Sequence, residues 1–374
     1  MSSRRARPSL QPPSFDPDAS LEELAGVGKN RRFDEFVDDE EFEDIQVICK
    51  RGGEEIPLAK PSRAFYFGDR NLYDQEARRF DQEERARILN TDQFPRNLAR
   101  FEELKRSCQR GFVIPFVGAG MSKSAGCPEW REYLLNLCDD ANLDRDTMRA
   151  RLDENSDYEG VMNDLVTALG INRFNLDFER DFKTPDDISG AVTLLPKLFD
   201  CSVITTNFDR VLERVYESDA KSFVEKVTGL GQAGAFFRSI PAGDRYLLKL
   251  HGNLDNAAGR VLNKAEYDAA YGNDGNIHFD FPLPKLLKRL FTSYSFLFLG
   301  CSLSADRTIQ TFMRVAQLEG QENLPHHYAL LPCPTDGAKK TAIDQRLADA
   351  HITPVWYPEG EHEYVEQILE LLID

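Results

Sequence analysis

Phe112-Val113-Ile114-Pro115-Phe116-Val117, running directly into Gly118-Ala119-Gly120-Met121-Ser122, is the stretch that decides the fold of this chain. A near-continuous apolar run of this length suits a strand covered on both faces, and the small residues after it let the backbone turn tightly. Next, Gly126-Cys127-Pro128-Glu129 opens a helix on which Trp130, Tyr133, Leu134, Leu137, Cys138 and Ala141 share one face at the 3.6-residue period. The same alternation continues outward. Residues 202–206, 246–250, 296–299, 328–331 and 352–357 are further apolar runs of strand length, and Val365, Ile368, Leu369 and Leu372 mark a closing helix over 364–372. Strands alternating with helices predict an α/β, Rossmann-like fold with a doubly wound, mostly parallel sheet.

Between the first two strands, residues 143–199 keep helical spacing (Tyr158, Val161, Met162, Leu165, Leu169), which predicts a helical insertion subdomain capping the sheet. Residues 253–293 mix Gly, Asn and aromatics and predict no element before a helix over 286–291. Upstream, residues 1–24 hold several prolines and few apolar side chains, too few to offset the entropy of ordering, so disorder is expected there. Residues 34–44 carry eight acids in eleven positions and suit a solvated face, or a docking segment for a basic partner. A short strand over 45–49 and helices over 80–89 and 98–108 complete the upstream part. Two domains are thus expected: an acidic, partly disordered extension over 1–95 and one α/β domain over 96–374.

The 374 residues carry 46 Lys+Arg against 63 Asp+Glu, a formal net charge of −17 at pH 7. A chain this acidic is repelled on balance by a phosphate backbone, so direct nucleic-acid binding is not expected. No stretch approaches the roughly 18 consecutive apolar residues of a membrane span, and the Arg-, Ser- and Pro-rich start lacks a signal core, which points to no membrane contact and a cytoplasmic location. The seven cysteines include no C-x-x-C pair, so neither a disulfide framework nor a cysteine zinc site is indicated.

Four strand ends carry residues with chemical capacity. Gly118, Ala119, Gly120 and Ser122 can hold an anionic phosphate on backbone N–H groups and the following helix N-terminus, without any cationic side chain. The spacing is not G-x-G-x-x-G, because Lys123 stands where the third glycine would be. Thr205-Thr206-Asn207-Phe208-Asp209 ends the second strand; its Asn and Asp suit a ribose or a water, or the cap of a helix marked by Val211, Leu212, Val215 and Tyr216. His251-Gly252 ends the third. A histidine of ordinary pKa, about 6.5, can act as a base at neutral pH, or it can be structural. Gly300-Cys301-Ser302-Leu303-Ser304-Ala305-Asp306 ends the fourth, with Ser304 or Asp306 as the alternative helix cap.

In this order, G-A-G-M-S with G-x-P-x-W, T-T-N-x-D, H-G and G-C-S, the motifs resemble the SIR2 family, the sirtuin-like fold that uses NAD. The resemblance covers residues 112–306. It implies Gly118, Ala119, Gly120 and Ser122 on the phosphates and ribose of NAD, Asn207 and Asp209 around the nicotinamide ribose, and Gly300 and Ser302 under the adenine-side ribose. Trp130, Thr206 and Asp306 join these binding residues, and His251 matches the catalytic base, with Asn207 and Asp209 as its catalytic companions. Two departures decide the subclass. Deacylating sirtuins carry a cysteine zinc module after H-G, whereas residues 253–298 hold no cysteine, and T-T-N stands where they usually have T-Q-N.

The G-C-S-L-S-A-D form resembles bacterial SIR2-like proteins of antiviral, anti-phage defence. That resemblance implies NAD+ as a substrate, no zinc, and hydrolysis to ADP-ribose and nicotinamide. The alternatives are an NAD-dependent protein deacylase and a non-catalytic module that senses NAD or ADP-ribose. It further implies a homo-oligomer controlled by assembly or by a partner, a HerA-type ring ATPase or a short Argonaute. Low activity of the isolated chain, with residues 1–44 contributing to assembly, is expected on that basis.

Overall fold

The computed structural model describes residues 30–39, 47–51, 54–58, 61–155, 157–231, 233–273, 276–304 and 306–373, in two units divided between Arg87 and Ile88. In the first unit, helix Arg31–Asp39 buries Phe33 against Tyr73 and Ala77 of helix Arg70–Ile88. Strand β1 (Val47–Arg51) pairs antiparallel with β2 (Glu54–Leu58). The acidic run is not a solvated face throughout: Asp34 is buried, and its Oδ1 accepts a 2.7 Å hydrogen bond from the Tyr73 hydroxyl. The disorder expected over 1–24 lies outside the described residues.

In the second unit, β3 (Val113–Val117), β4 (Val203–Thr205), β6 (Tyr246–Lys249), β7 (Ser295–Leu299), β8 (His327–Cys333) and β9 (Ile352–Pro358) occupy the six apolar runs, and β5 (Glu225–Thr228) is additional. The order is β5-β6-β4-β3-β7-β8-β9, with every neighbouring pair parallel. Without β5 this is the 3-2-1-4-5-6 order of a dinucleotide-binding sheet. Because β4 and β7 flank β3 on opposite sides, the winding reverses at β3, where such sheets leave a crevice at the carboxyl ends of their strands.

Both faces of the sheet are covered. Ile114 and Phe116 join a core with helices Pro282–Ser293 and Arg307–Glu319, while Val113 and Val117 join one with helices Asn97–Gln109 and Glu363–Ile373. Double coverage is why these strands read as unbroken apolar runs. At the sheet edge, β5 buries only Val227.

Helices Arg145–Asn155, Tyr158–Leu169 and Ile171–Asp181 form the expected insertion. Their core, around Val161, Leu165, Phe174 and Phe178, also takes in Phe208 and Leu254 from the loops after β4 and β6. The insertion is thereby anchored over the carboxyl end of the sheet. Residues 253–293 hold more order than their composition suggests: helix Lys264–Tyr271 opens with a reciprocal capping box between Asn263 and Glu266, and helix Pro282–Ser293 follows. Among the described residues no helix is long and apolar enough to cross a membrane.

Candidate functional site

The four motifs converge at the carboxyl ends of four adjacent strands, β6, β4, β3 and β7. The β3 and β7 loops interlock through backbone hydrogen bonds. Gly118 N–H donates to Leu299 O at 2.8 Å and Gly120 N–H to Gly300 O at 2.9 Å. A Cβ on Gly118 would lie 2.6 Å from Gly300 O, and one on Gly120 would lie 3.0 Å from Gly300 Cα. Gly300 itself has φ +64°, the left-handed region that favours glycine. Since Ser122 N–H also donates inward, to Ala119 O, the amides of Gly118, Gly120 and Ser122 are engaged within the protein rather than open to a phosphate in this conformation. Gly120 is exposed and Ala119 half-buried, so the outer edge of the loop still faces solvent.

Asn207 is not a helix cap. It is buried, and its Nδ2 donates at 3.0 Å both to Gly118 O and to Ser122 Oγ, tying the end of β4 to the glycine loop. Its Oδ1 takes no hydrogen bond from the described residues. Thr206, half-buried, adds an N–H bond to Val117 O at 3.3 Å. Asp209 Oδ1 accepts from Val211 N–H at 2.9 Å, one residue ahead of the Arg210 cap of helix Val211–Ser218. Beneath this turn lies a residue that the sequence pattern did not single out. Lys249, 1% exposed, pairs with Glu213 at 2.9 Å and donates to the carbonyls of Phe208 and Asp209 at 3.3 and 2.5 Å. An apolar strand ending in lysine is the signal that could have revealed it.

His251 is 7% exposed, and burial lowers its pKa to about 4, so the ring is neutral at pH 7. Its Nε2 lies 2.9 Å from the Tyr271 hydroxyl, which lies 3.1 Å from Thr308 Oγ1. Its Nδ1 makes no hydrogen bond to the described residues. Two thiols sit nearby. Burial pushes Cys127 up to about 12, helped by the charge of Asp209, and pushes Cys301 up as well; both stay protonated and neither is a nucleophile at neutral pH.

The remaining expected residues are peripheral. Trp130 packs its ring among Phe182, Phe208 and Tyr133 at 5.4, 5.8 and 6.0 Å between centroids, inside the helical insertion rather than on the glycine loop. Ser302 is exposed, with its hydroxyl 3.1 Å from that of Ser304. Asp306 caps helix Arg307–Glu319, accepting from Thr308 and Ile309 N–H at 2.9 Å each. Two arginines clasp the insertion to the rest of the site: Arg260 donates to Glu179 and Asn175 at 2.8 and 3.0 Å, and Arg307 donates to both oxygens of Glu159 at 2.8 and 2.5 Å. Among the described residues no group of three or more His, Cys, Asp or Glu side chains could hold a metal ion.

Residues 201–355 match the family model described as a SIR2-like domain. The chain is 24% identical over 276 residues to a Cytobacillus dafuensis protein named NAD(+) hydrolase ThsA, covering 69% of this chain and 52% of that one. It is 26% identical over 243 residues to the protein of the same name from Enterococcus faecium, covering 63% and 45%. The chain therefore spans about half the length of the curated relatives it matches.

Proposed function

From the SIR2-like domain that this chain carries, we propose that it hydrolyses NAD+ to ADP-ribose and nicotinamide. The observation that carries this proposal is the convergence of Asn207, Asp209 and His251 with the interlocked glycine loops at one strand-end crevice, on a sheet of dinucleotide-binding order. The names of the relatives support the same chemistry.

NAD+ lies along Gly118, Ala119, Gly120 and Ser122, with the adenosine side toward Gly300 and Ser302. Cleavage breaks the bond between the ribose C1′ and the nicotinamide nitrogen. The electron pair leaves with nicotinamide, which becomes neutral and needs no acid. Positive charge develops on the ribose, and stabilising it is the main task of the site. Asp209 supplies negative potential, and Asn207 Oδ1 is free to hold the attacking water or a ribose hydroxyl. His251, neutral at pH 7, accepts the proton released as water adds to C1′.

The proposal extends to a cytoplasmic, zinc-free, antiviral effector. It acts as a homo-oligomer, without binding nucleic acid itself, and is switched on by assembly or by a partner such as a HerA-type ATPase or a short Argonaute. Chromatography of NAD+ incubated with the purified full chain, alone and with its partner, tests the central point. A nicotinamide peak that grows on complex formation is expected. Binding of NAD+ with no nicotinamide under either condition would identify a sensor, and one zinc per chain by elemental analysis with acyl-peptide turnover would identify a deacylase.

A further inference from the structure

The His251 ring has one hydrogen-bonding partner among the described residues, and it is a phenol rather than a carboxylate or a backbone carbonyl. Tyr271 ends helix Lys264–Tyr271, is fully buried, and is held from two sides by consecutive residues of helix Arg307–Glu319. Thr308 Oγ1 meets its hydroxyl at 3.1 Å, and Arg307 Nη1 donates to the carbonyl of the next residue, Gly272, at 2.7 Å. Arg307 also donates to Asp268, one turn earlier on the tyrosine's helix, at 2.6 Å. The tyrosine is thus braced at both its side chain and its backbone.

The direction of the protons follows from chemistry. A neutral imidazole carries one N–H, and only its other nitrogen can take a proton. If Tyr271 donated to Nε2, the N–H would sit on Nδ1, the nitrogen without a partner among the described residues, and His251 could not act there as a base. With the chain reversed, Nε2–H donates to the Tyr271 oxygen, Tyr271 O–H donates to Thr308 Oγ1, and the Nδ1 lone pair faces outward. Only this arrangement serves a base. Burial keeps the phenol neutral, so it remains an acceptor that also has a proton to pass along the chain.

We propose that Tyr271 is the positioning residue of His251: it commits Nε2–H inward, toward Thr308, and presents Nδ1 as the atom that takes the proton released during NAD+ cleavage. This rests on the hydrolase assignment above. The transfer moves one proton from the attacking water to Nδ1, giving an imidazolium whose Nε2–H stays on Tyr271; no other bond of the enzyme changes.

The test has two arms on the full chain. In the first, histidine rings are labelled with 15N and long-range 1H–15N correlations are recorded at pH 7, with His251→Ala assigning the signal. Nε2 should carry the proton, and a proton on Nδ1 would overturn the proposal whatever the activity. In the second, Tyr271→Phe, which removes only the hydroxyl, should lower kcat for nicotinamide release roughly 10–100-fold and leave KM for NAD+ unchanged, as for other groups that orient a catalytic imidazole. Thr308→Val should act in the same direction and Thr308→Ser should restore kcat. Unchanged kcat in Tyr271→Phe, beside an active wild type, would remove Tyr271 from the mechanism. A wild type inactive with and without its partner would instead remove the hydrolase assignment, leaving the tautomer to judge Tyr271.

Discussion

Two buried histidines sit at opposite ends of the same sheet. His251 follows β6 at the carboxyl end, and His327 begins β8 at the amino end. Burial lowers the pKa of both, so neither desolvation nor a shifted pKa distinguishes them. Their neighbours do. His327 lies stacked on Phe291, 3.6 Å between centroids and 5° from parallel, and its Nδ1 accepts from Phe296 N–H at 3.2 Å. It is a flat core residue satisfying a strand amide. His251 instead faces a chain of hydroxyls on one nitrogen and stands beside Asn207 and Asp209 on neighbouring strand ends. Both rings carry a nitrogen with no hydrogen-bond partner among the described residues, so what sets His251 apart is its place at the strand-end crevice and its chain of hydroxyls.

The sharpest way to break this contrast is to delete both rings. His251→Ala should cut nicotinamide release by roughly 10²–10⁴-fold with the melting transition retained, and Asn207→Ala should act comparably. His327→Ala should leave turnover per folded molecule near wild type but cost roughly 2–4 kcal/mol in urea unfolding, through a cavity beside Phe291 and an orphaned Phe296 amide. Turnover lost with His327→Ala and kept with His251→Ala would invert the assignment.

Acid should reveal what the two histidines share. The folded His251 pKa of about 4 lies below the unfolded value of 6.5, so between those values only the unfolded chain binds the proton. Stability from this group is fully present above about pH 6.5 and falls by about 3 kcal/mol as the pH drops toward 4. His327 contributes with the same sign. Urea unfolding from pH 7 to 4.5 should therefore show a smaller loss for His251→Gln than for wild type, and equal slopes would mean that His251 is not desolvated. The weakest effect is expected at Ser302, exposed and bonded, among the described residues, only to Ser304. Ser302→Ala should raise KM for NAD+ by about 2–10-fold, the worth of one hydrogen bond, with kcat untouched.

Much of this was legible in the sequence because two-sided burial writes itself as apolar runs. Six of the seven sheet strands and the helical insertion announced themselves that way. β5 did not, since Glu225 and Lys226 at an open edge leave no such run. Asn207 and His251 were legible from their places at strand ends, but Tyr271 and Thr308 were not: Tyr271 meets His251 across 20 residues of chain, from a segment whose Gly and Asn content hides helix Lys264–Tyr271, and Thr308 meets Tyr271 across 37. One local clue was present, the Asn263-x-x-Glu266 capping box. Trp130 carried two readings at once. Its helical stripe already matched a packing role, and its ring lies among the aromatics of the insertion.

The interlocked loops at β3 and β7 bear on how this protein can change over generations. A methyl group on Gly118 would collide with Gly300 O and one on Gly300 with the backbone of Gly120 and Met121, whereas one on Gly120 would be tight, 3.0 Å from Gly300 Cα. No second substitution can relieve that collision, because none of the three has a smaller residue to become. In a saturation library Gly118 and Gly300 should reject every alternative together, while Ser302, two residues beyond Gly300, tolerates many. An insertion or deletion between them would be lethal to function even where it kept every chemical group. The crevice is thus inherited as a single block, around which the rest of the chain is free to diverge.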